Sequence, residues 1–476
     1  MTFVGRQREL DELARLLEDV RRGRRDDRGV AVLLRGRRRV GKSRLVTELI
    51  ARVGLPSVYF QAARGADPAQ ELAQFADAIA ASTLPEAAVA AGNRPTTLTA
   101  ALTLLAAALP DDGPAIVVID EAPWLLEGIS GGAGELQRVW DRTLAAKPVL
   151  VLLLGSDLAM MEKLGAADQP FHGRATEMVL DVLNPRDVAA MTGLGPFDAF
   201  DAFLVTGGLP LVAQEWEPGM TRDDFLRESF ARSTSALIVS GARVLDAEFP
   251  EATYARAVLT AIGGRGERTF TGIHDSIAGG SMSNSTLTAS LRTLTTKRVV
   301  AADEPLSTKT AAKDRRWRVA DPALRFWLAF VEPALGEVDR ARPDLALARI
   351  QRTYESWRGR AIEPVVRTAL QRLLPDGDWP DVAEVGGWWP RSNTPEIDLV
   401  GADRAPAGRV AFVGTIKWKK FGSVTAADVS ALAADALHVP GVTVTTPLVT
   451  VAGNRRTTNP RVRQSWTAAD LLDAWQ

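Results

Sequence analysis

The chain has 476 residues, 46% hydrophobic and 24% charged, an ordinary globular composition that at roughly 100 to 200 residues per domain points to three or four domains. Its formal charge of −1 sets up no global field toward nucleic acid or membrane, so any basic site must be local. Cysteine is absent, which excludes disulfides and a thiol nucleophile, and His172, His274 and His438 alone make a zinc centre a poor expectation. No apolar run approaches the roughly 18 residues of a membrane span, and MTFVGRQREL lacks a basic stretch followed by an apolar one, so we expect a cytoplasmic protein without membrane contact.

In chain order, RRGRRDDRG at 21–29 mixes charge signs and reads as a solvated loop. Val30 to Leu34 is an unbroken apolar run, the pattern of a parallel strand buried on both faces, and Leu45 with Leu49 and Val46 with Ile50 repeat at helical spacing. Between them lies Gly36-Arg37-Arg38-Arg39-Val40-Gly41-Lys42-Ser43, a full GxxxxGK[ST] loop. Its glycines let backbone N–H groups curl around phosphate oxygens, Lys42 reaches the β- and γ-phosphates, and the Ser43 hydroxyl suits Mg2+ at a helix N-terminus. A second strand pattern, Ala115 to Ile119, ends in Asp120 and Glu121. Asp120 is placed to hold Mg2+ through water and Glu121 to polarise an attacking water. A third, PVLVLLLGSD, ends in Ser156, which either sits between the carboxylates and the γ-phosphate or caps the strand. Arg174 in FHGRATEM either stabilises phosphoryl charge, in cis or from a neighbouring subunit, or forms a surface salt bridge.

FVGRQREL, GRRRVGKS, VVIDEAPWL, LLLGSD, FHGR and GGLP resemble, in that order, the landmarks of the archaeal-type ATPases of the STAND/AAA+-related P-loop class. The resemblance implies ATP with Mg2+ and an ASCE-type five-stranded parallel sheet whose P-loop strand is flanked by the catalytic strands. It also implies a first box of Phe3, Gly5, Arg6, Glu9 and Leu10 over the adenine, and phosphate contacts from the loop through Arg44. A helical lid follows, whose turn Gly207 to Pro210 approaches the base. Assembly into a homo-oligomer on ATP binding belongs to the same expectation.

From about Asn184 to Ser240 the spacing is helical, with Phe200, Phe203 and Leu204 on one stripe. From Tyr254 the pattern becomes three short helices and a hairpin, a winged-helix order. Ser283 and Asn284 suit the N-cap of the third helix, Leu287, Leu291 and Leu294 form its buried stripe, and Thr286, Ser290, Arg292 and Thr293 its outer face. Such a helix suits a major groove of double-stranded DNA, with Lys309, Lys313, Arg315 and Arg316 of the wing on phosphates; an interdomain spacer is the other reading. Phe326, Trp327 and Phe330 form an aromatic cluster that reads as core at a domain junction.

In the last third, YESWRGRAIEPVVRTALQRLL reads as a helix with Glu363 in its first turns, Pro364 fixing where it can begin, and precedes three strand-like segments carrying Glu396, Asp398 and Lys417. This order resembles the restriction-endonuclease-like, or PD-(D/E)XK, fold, in which carboxylates hold Mg2+ on a scissile phosphate and a lysine two residues after the second acid activates water. Asp398 fills the first position and Lys417 the last, but Thr415 stands where the acid belongs, with Glu396 and Glu363 as compensating candidates. Of the lysines in GTIKWKK, Lys417 and Lys419 are assigned one strand face and Lys420 the other with Trp418.

The sequence therefore predicts an α/β multidomain chain: a P-loop ATPase domain (1–183), helical lid (184–245), winged helix (246–335) and nuclease-like domain (336–476). The expected function is an ATP-hydrolysing switch or DNA-associated ATPase. A nucleotide-sensing regulator with a non-catalytic last domain and an ATP-dependent nuclease are the alternatives.

Overall fold

In a computed structural model that describes residues 3–23, 28–167, 169, 171–248, 253–277, 281–309 and 312–476, the chain divides into two units, Met1–Val182 and Leu183–Gln476. The first is built on a parallel sheet of β1 (Val30–Arg35), β2 (Ser57–Gln61), β3 (Ala115–Asp120), β4 (Val149–Gly155) and β5 (Ala175–Val179), ordered β2-β3-β4-β1-β5. Every residue of β3 and β4 is buried, because helices cover both faces. Alternation sorts the side chains: Val30, Val32 and Leu34 pack with Leu13 and Leu17 of helix Gln7–Arg22 and Leu45 and Leu49 of helix Lys42–Val53. Ala31 and Leu33 face the opposite core around Phe75 and Leu102. The P-loop strand β1 lies between β4 and β5, so β4 separates it from the acid-bearing β3. The expectation of catalytic strands on both sides of β1 is corrected to both on one side. The carboxyl ends of β1, β3 and β4 nevertheless share one edge of the sheet, where open α/β sheets bind ligands.

The second unit begins with helices Pro185–Thr192 and Pro196–Thr206. Instead of one apolar stripe, the latter is buried at every residue from Ala199 to Thr206, the mark of a helix enclosed by its neighbours. Trp418 stacks on Phe197 with ring centroids 5.7 Å apart and meets Phe200 edge-on at 5.1 Å. Among the described residues no single helix is long and apolar enough to cross a membrane.

Three helices follow, Thr253–Ile262, Phe270–Ser276 and Asn284–Thr296, with an antiparallel sheet of β6 (Arg268–Thr269), β7 (Val300–Asp303) and β8 (Arg316–Val319) ordered β6-β8-β7. Ser283 is the N-cap of the third helix, its hydroxyl accepting from Thr286 N–H, and Leu287, Leu291 and Leu294 are its buried side chains, as the spacing predicts. Phe326, Trp327 and Phe330 are core residues, each at most 2% exposed.

The helix expected over YESWRGRAIEPVVRTALQRLL begins earlier, at Pro343, and runs to Leu373, so Pro364 lies inside it and does not set its start. Proline removes one helical N–H and leaves the carbonyl four residues earlier unanswered. That carbonyl, of Arg360, accepts instead from Arg325 Nη2 at 3.3 Å.

The last sheet, ordered β13-β12-β11-β10-β9, comprises β9 (Glu384–Trp388), β10 (Ile397–Ala402), β11 (Val410–Lys417), β12 (Leu448–Ala452) and β13 (Val462–Trp466). β9 to β11 pair antiparallel, β11 to β13 parallel, and helix Ala426–Asp435 makes the crossover between β11 and β12. β11 ends at Lys417, so strand alternation does not order the next lysines. Lys420 pairs with Asp198 at 2.9 Å.

Candidate functional site

The loop after β1 shows why its two glycines are needed, for different reasons. A Cβ on Gly36 would lie 2.4 Å from the carbonyl oxygen of Leu180, whereas Gly41 adopts φ +96°, a left-handed conformation that side chains disfavour. Lys42 is 7% exposed, and its ammonium donates to Gly36 O at 2.7 Å and Arg37 O at 3.2 Å. Arg38, Arg39, Val40 and Arg44 complete the loop and the first helical turn, with Arg39 at φ 68°.

Across the carboxyl edge of the sheet, the expected catalytic groups join in a hydrogen-bonded line. Ser43 Oγ donates to Asp120 Oδ2 at 2.7 Å, Glu121 N–H to Asp120 Oδ1 at 2.9 Å, and Ser156 Oγ and N–H to Glu121 Oε2 at 3.0 and 3.3 Å. Ser156 thus grips Glu121; no bond links it to Asp120. Glu121 stands at φ 53°, a left-handed backbone that costs of order 1–3 kcal/mol and turns its carboxylate back across the strand end. The Ser43 hydroxyl and the Asp120 carboxylate are adjacent hard oxygen donors, a set that fits Mg2+.

Tyr59, on β2, was not foreseen. Its hydroxyl donates to Asp120 Oδ2 at 2.5 Å, and burial, then the Asp120 hydrogen bond, push the phenol above its ordinary range. Its signal lies in the pairing of β2 with β3, which puts Tyr59 opposite Val118 and Gln61 opposite Asp120. Single-sequence patterns do not give that pairing.

Arg6, expected in a box over the adenine, is 5% exposed and braces the loop: it donates to Val40 O at 3.0 Å and to Asp181 O, and pairs with Glu9. Gly5 precedes it at φ +79°, and the Phe3 ring lies under the Arg52 guanidinium, 5.8 Å from its centroid. Arg174 donates to both oxygens of Asp141, at 2.7 and 2.9 Å, the surface ion pair that was one of its two readings. Pro210 opens helix Pro210–Ala213 in the second unit, behind Gly207 and Gly208 at φ 62° and 65°.

In the second unit, Asp398 Oδ2 accepts from Thr415 Oγ1 and from Ile416 N–H, both at 2.8 Å, so the threonine hydroxyl fills the place of the missing acid. Glu396 precedes β10 rather than lying within it, and its carboxylate turns to Arg316 at 2.5 Å. Glu363 pairs with Arg367 at 3.1 Å, and burial, opposed by Arg367, raises its carboxyl to about 7. Lys417 closes β11. Among the described residues no three His, Cys, Asp or Glu converge to hold a metal. His172, His274 and His438 each engage a main-chain carbonyl, of Gly165, Met282 and Asp435.

The wing assignment changes as well. Arg316 is buried and ion-paired and Arg315 pairs with Glu304, leaving Lys309 and Lys313 as the exposed cations of that group.

Residues 2–129 match the family model described as an AAA ATPase domain, so the first unit carries a P-loop ATPase domain of that class. Residues 327–429 match a second model, described as archaeal and bacterial proteins of unknown function. Among solved structures the chain is similar in fold to a Walker-type ATPase of Pyrococcus abyssi, at 19% identity and a TM-score of 0.50, covering 68% of this chain and 96% of that one. Also similar are the Aeropyrum pernix ORC2 protein (14% identity, TM-score 0.42, 73% and 94% covered) and the Aeropyrum pernix ORC1 protein in complex with DNA (18%, 0.32, 73% and 95%). No curated protein matches the chain.

Proposed function

We propose that the chain is an ATP-hydrolysing AAA+ switch whose second unit is its output. The observation that carries this reading is the hydrogen-bonded line from Ser43 through Asp120 and Glu121 to Ser156, set beside a complete phosphate loop. Lys42 binds the β- and γ-phosphates, exchanging its carbonyl partners for phosphate oxygens. Ser43, and Asp120 through water, would hold Mg2+, which would supply charge neutralisation on those phosphates. Tyr59 fixes the Asp120 carboxylate through Oδ2, the oxygen that also accepts from Ser43. Glu121 takes the proton of the attacking water as its oxygen bonds to the γ-phosphorus; the bond to ADP breaks, and ADP and phosphate leave. Ser156 holds Glu121 in line for that step. Phosphate release should fall to background in Lys42→Ala; turnover by that variant equal to wild type would sink the assignment.

Within the second unit we read 184–245 as the lid, 246–335 as a winged helix and 336–476 as a nuclease-like fold serving as a non-cleaving module. Support for the winged helix is the capped helix Asn284–Thr296, with buried leucines and an exposed face of Ser285, Thr288, Arg292 and Thr293, where the expected Thr286 and Ser290 are half-buried instead, followed by the hairpin β7–β8. That face, with Arg292 on it and the exposed Lys309 and Lys313 of the wing, favours double-stranded DNA as partner. DNA affinity that is insensitive to salt, or unchanged by Arg292→Ala, would refute it. Support for a module without cleavage is the pairing of each carboxylate in the acidic cluster with a group of the chain itself.

A further inference from the structure

The first residue of β8, Arg316, has a side chain only 9% exposed, at a depth where an unpaired cation is strongly disfavoured. Its guanidinium donates to Glu396 Oε1 at 2.5 Å and Asn393 Oδ1 at 2.7 Å and lies 3.6 Å from Glu267. It also sits over the Trp389 ring, 4.4 Å from the centroid. The indole of Trp389 in turn donates to Asp314 O at 2.7 Å, two residues before Arg316, so the same segment is gripped twice. The chain leaving β7 is tied to the same sheet by Leu306 N–H donating to Gly387 O at 2.8 Å.

The other carboxylates of the cluster are already answered. Glu363 pairs with Arg367, whose Nε donates to the carbonyl of Asp398 at 2.9 Å, and the Asp398 carboxylate takes Thr415 and the Ile416 N–H. Arg360 approaches Glu396 at 3.9 Å as a second cation.

We propose that this set of contacts is an arginine latch: Arg316 gives Glu396 the positive charge that the nuclease resemblance assigns to a divalent cation, and so fastens the hairpin β7–β8 to the mixed sheet. Glu396, with Glu267 beside it, then holds the three-stranded module in place, and the planar guanidinium, shared between two side-chain oxygens and an aromatic face, suits that task better than a lysine. The latch stands on these contacts alone. Failure of the ATPase reading in Lys42→Ala would leave it untouched.

The test uses the full-length chain and hydrogen exchange followed by mass spectrometry. Arg316→Ala is expected to raise exchange in β7 and β8 by about tenfold, Glu396→Gln by about threefold, and Arg316→Lys by an intermediate amount, while β1 to β5 stay protected. Glu396→Gln, a conservative change at a partly exposed position, carries the test should Arg316→Ala not fold. In parallel, Mn2+ is titrated without nucleotide and followed by electron paramagnetic resonance, with no component that differs between wild type and Asp398→Asn expected. Unaltered exchange in Glu396→Gln, or saturable Mn2+ binding by wild type that Asp398→Asn abolishes, would overturn the latch.

Discussion

Replacing Gly36 by alanine places a methyl carbon 2.4 Å from the carbonyl oxygen of Leu180 and 3.2 Å from Val40 Cγ2. Ordinary contact begins near 3.4 Å, so the loop must retreat by about 1 Å from a backbone oxygen that cannot yield as a flexible side chain would. That retreat moves the Gly36 carbonyl, which Lys42 holds at 2.7 Å, and with it the cradle for the phosphates. A displacement of this size costs on the order of a hundredfold in rate, or about 2.7 kcal/mol of transition-state stabilisation. Overpacking is expected to cost a further ~1–3 kcal/mol of stability. Gly134→Ala is the control, since the added methyl meets nothing within 4 Å in helix Gly132–Arg142, and it should leave turnover unchanged. Steady-state phosphate release gives kcat/KM and thermal melts give stability. A Gly36→Ala protein within twofold of wild type in kcat/KM would refute the loop geometry.

Ser156→Ala removes the 3.0 Å bond to Glu121 and leaves the weaker N–H contact; kcat should fall about ten- to a hundredfold with KM for ATP little changed, and a change confined to KM would contradict its role. The Asp201 carboxyl is buried in the second unit, and burial, outweighing its ion pair with Arg358 at 3.0 Å, raises it from 3.8 to about 6. Because the folded state holds this proton more tightly than the unfolded chain, the group's stabilising contribution is full below about pH 4 and is lost as pH rises through about 6, a change of about 3 kcal/mol. Urea unfolding of the second unit at pH 4.5 and 7.5 should show about 2 kcal/mol of that change relative to Asp201→Asn, the rest falling below pH 4.5; parallel pH profiles for the two proteins would refute it.

The phosphate loop was legible because local chemistry and sterics fix its residue types: a cradle of N–H groups, one lysine and one hydroxyl leave little choice. Asp120 and Glu121 were legible for the same reason, as a strand end that must present two acids. What escaped was set by residues far apart in the chain. The insertion of β4 between β1 and β3 is a matter of strand pairing, and Tyr59 acquires its bond to Asp120 only through that sheet. Pro364 looked like a helix start because the group that relieves its lost hydrogen bond, Arg325, lies 35 residues before the carbonyl it satisfies. Arg316 looked like a phosphate-binding wing residue because its partner Glu396 is 80 residues downstream. Thr415 was read from sequence as the gap in an acidic site, and the structure supplies what that reading lacked: its hydroxyl donates to Asp398.

Glu121→Gln tests the central claim most directly, because it keeps the size of the side chain and its contact with Ser156 while removing the base. Binding of a fluorescent ATP analogue and single-turnover hydrolysis are measured on the same protein. The account predicts nucleotide affinity within a fewfold of wild type and hydrolysis slowed by a factor on the order of a hundred or more. Hydrolysis at the wild-type rate with Glu121 replaced would contradict it.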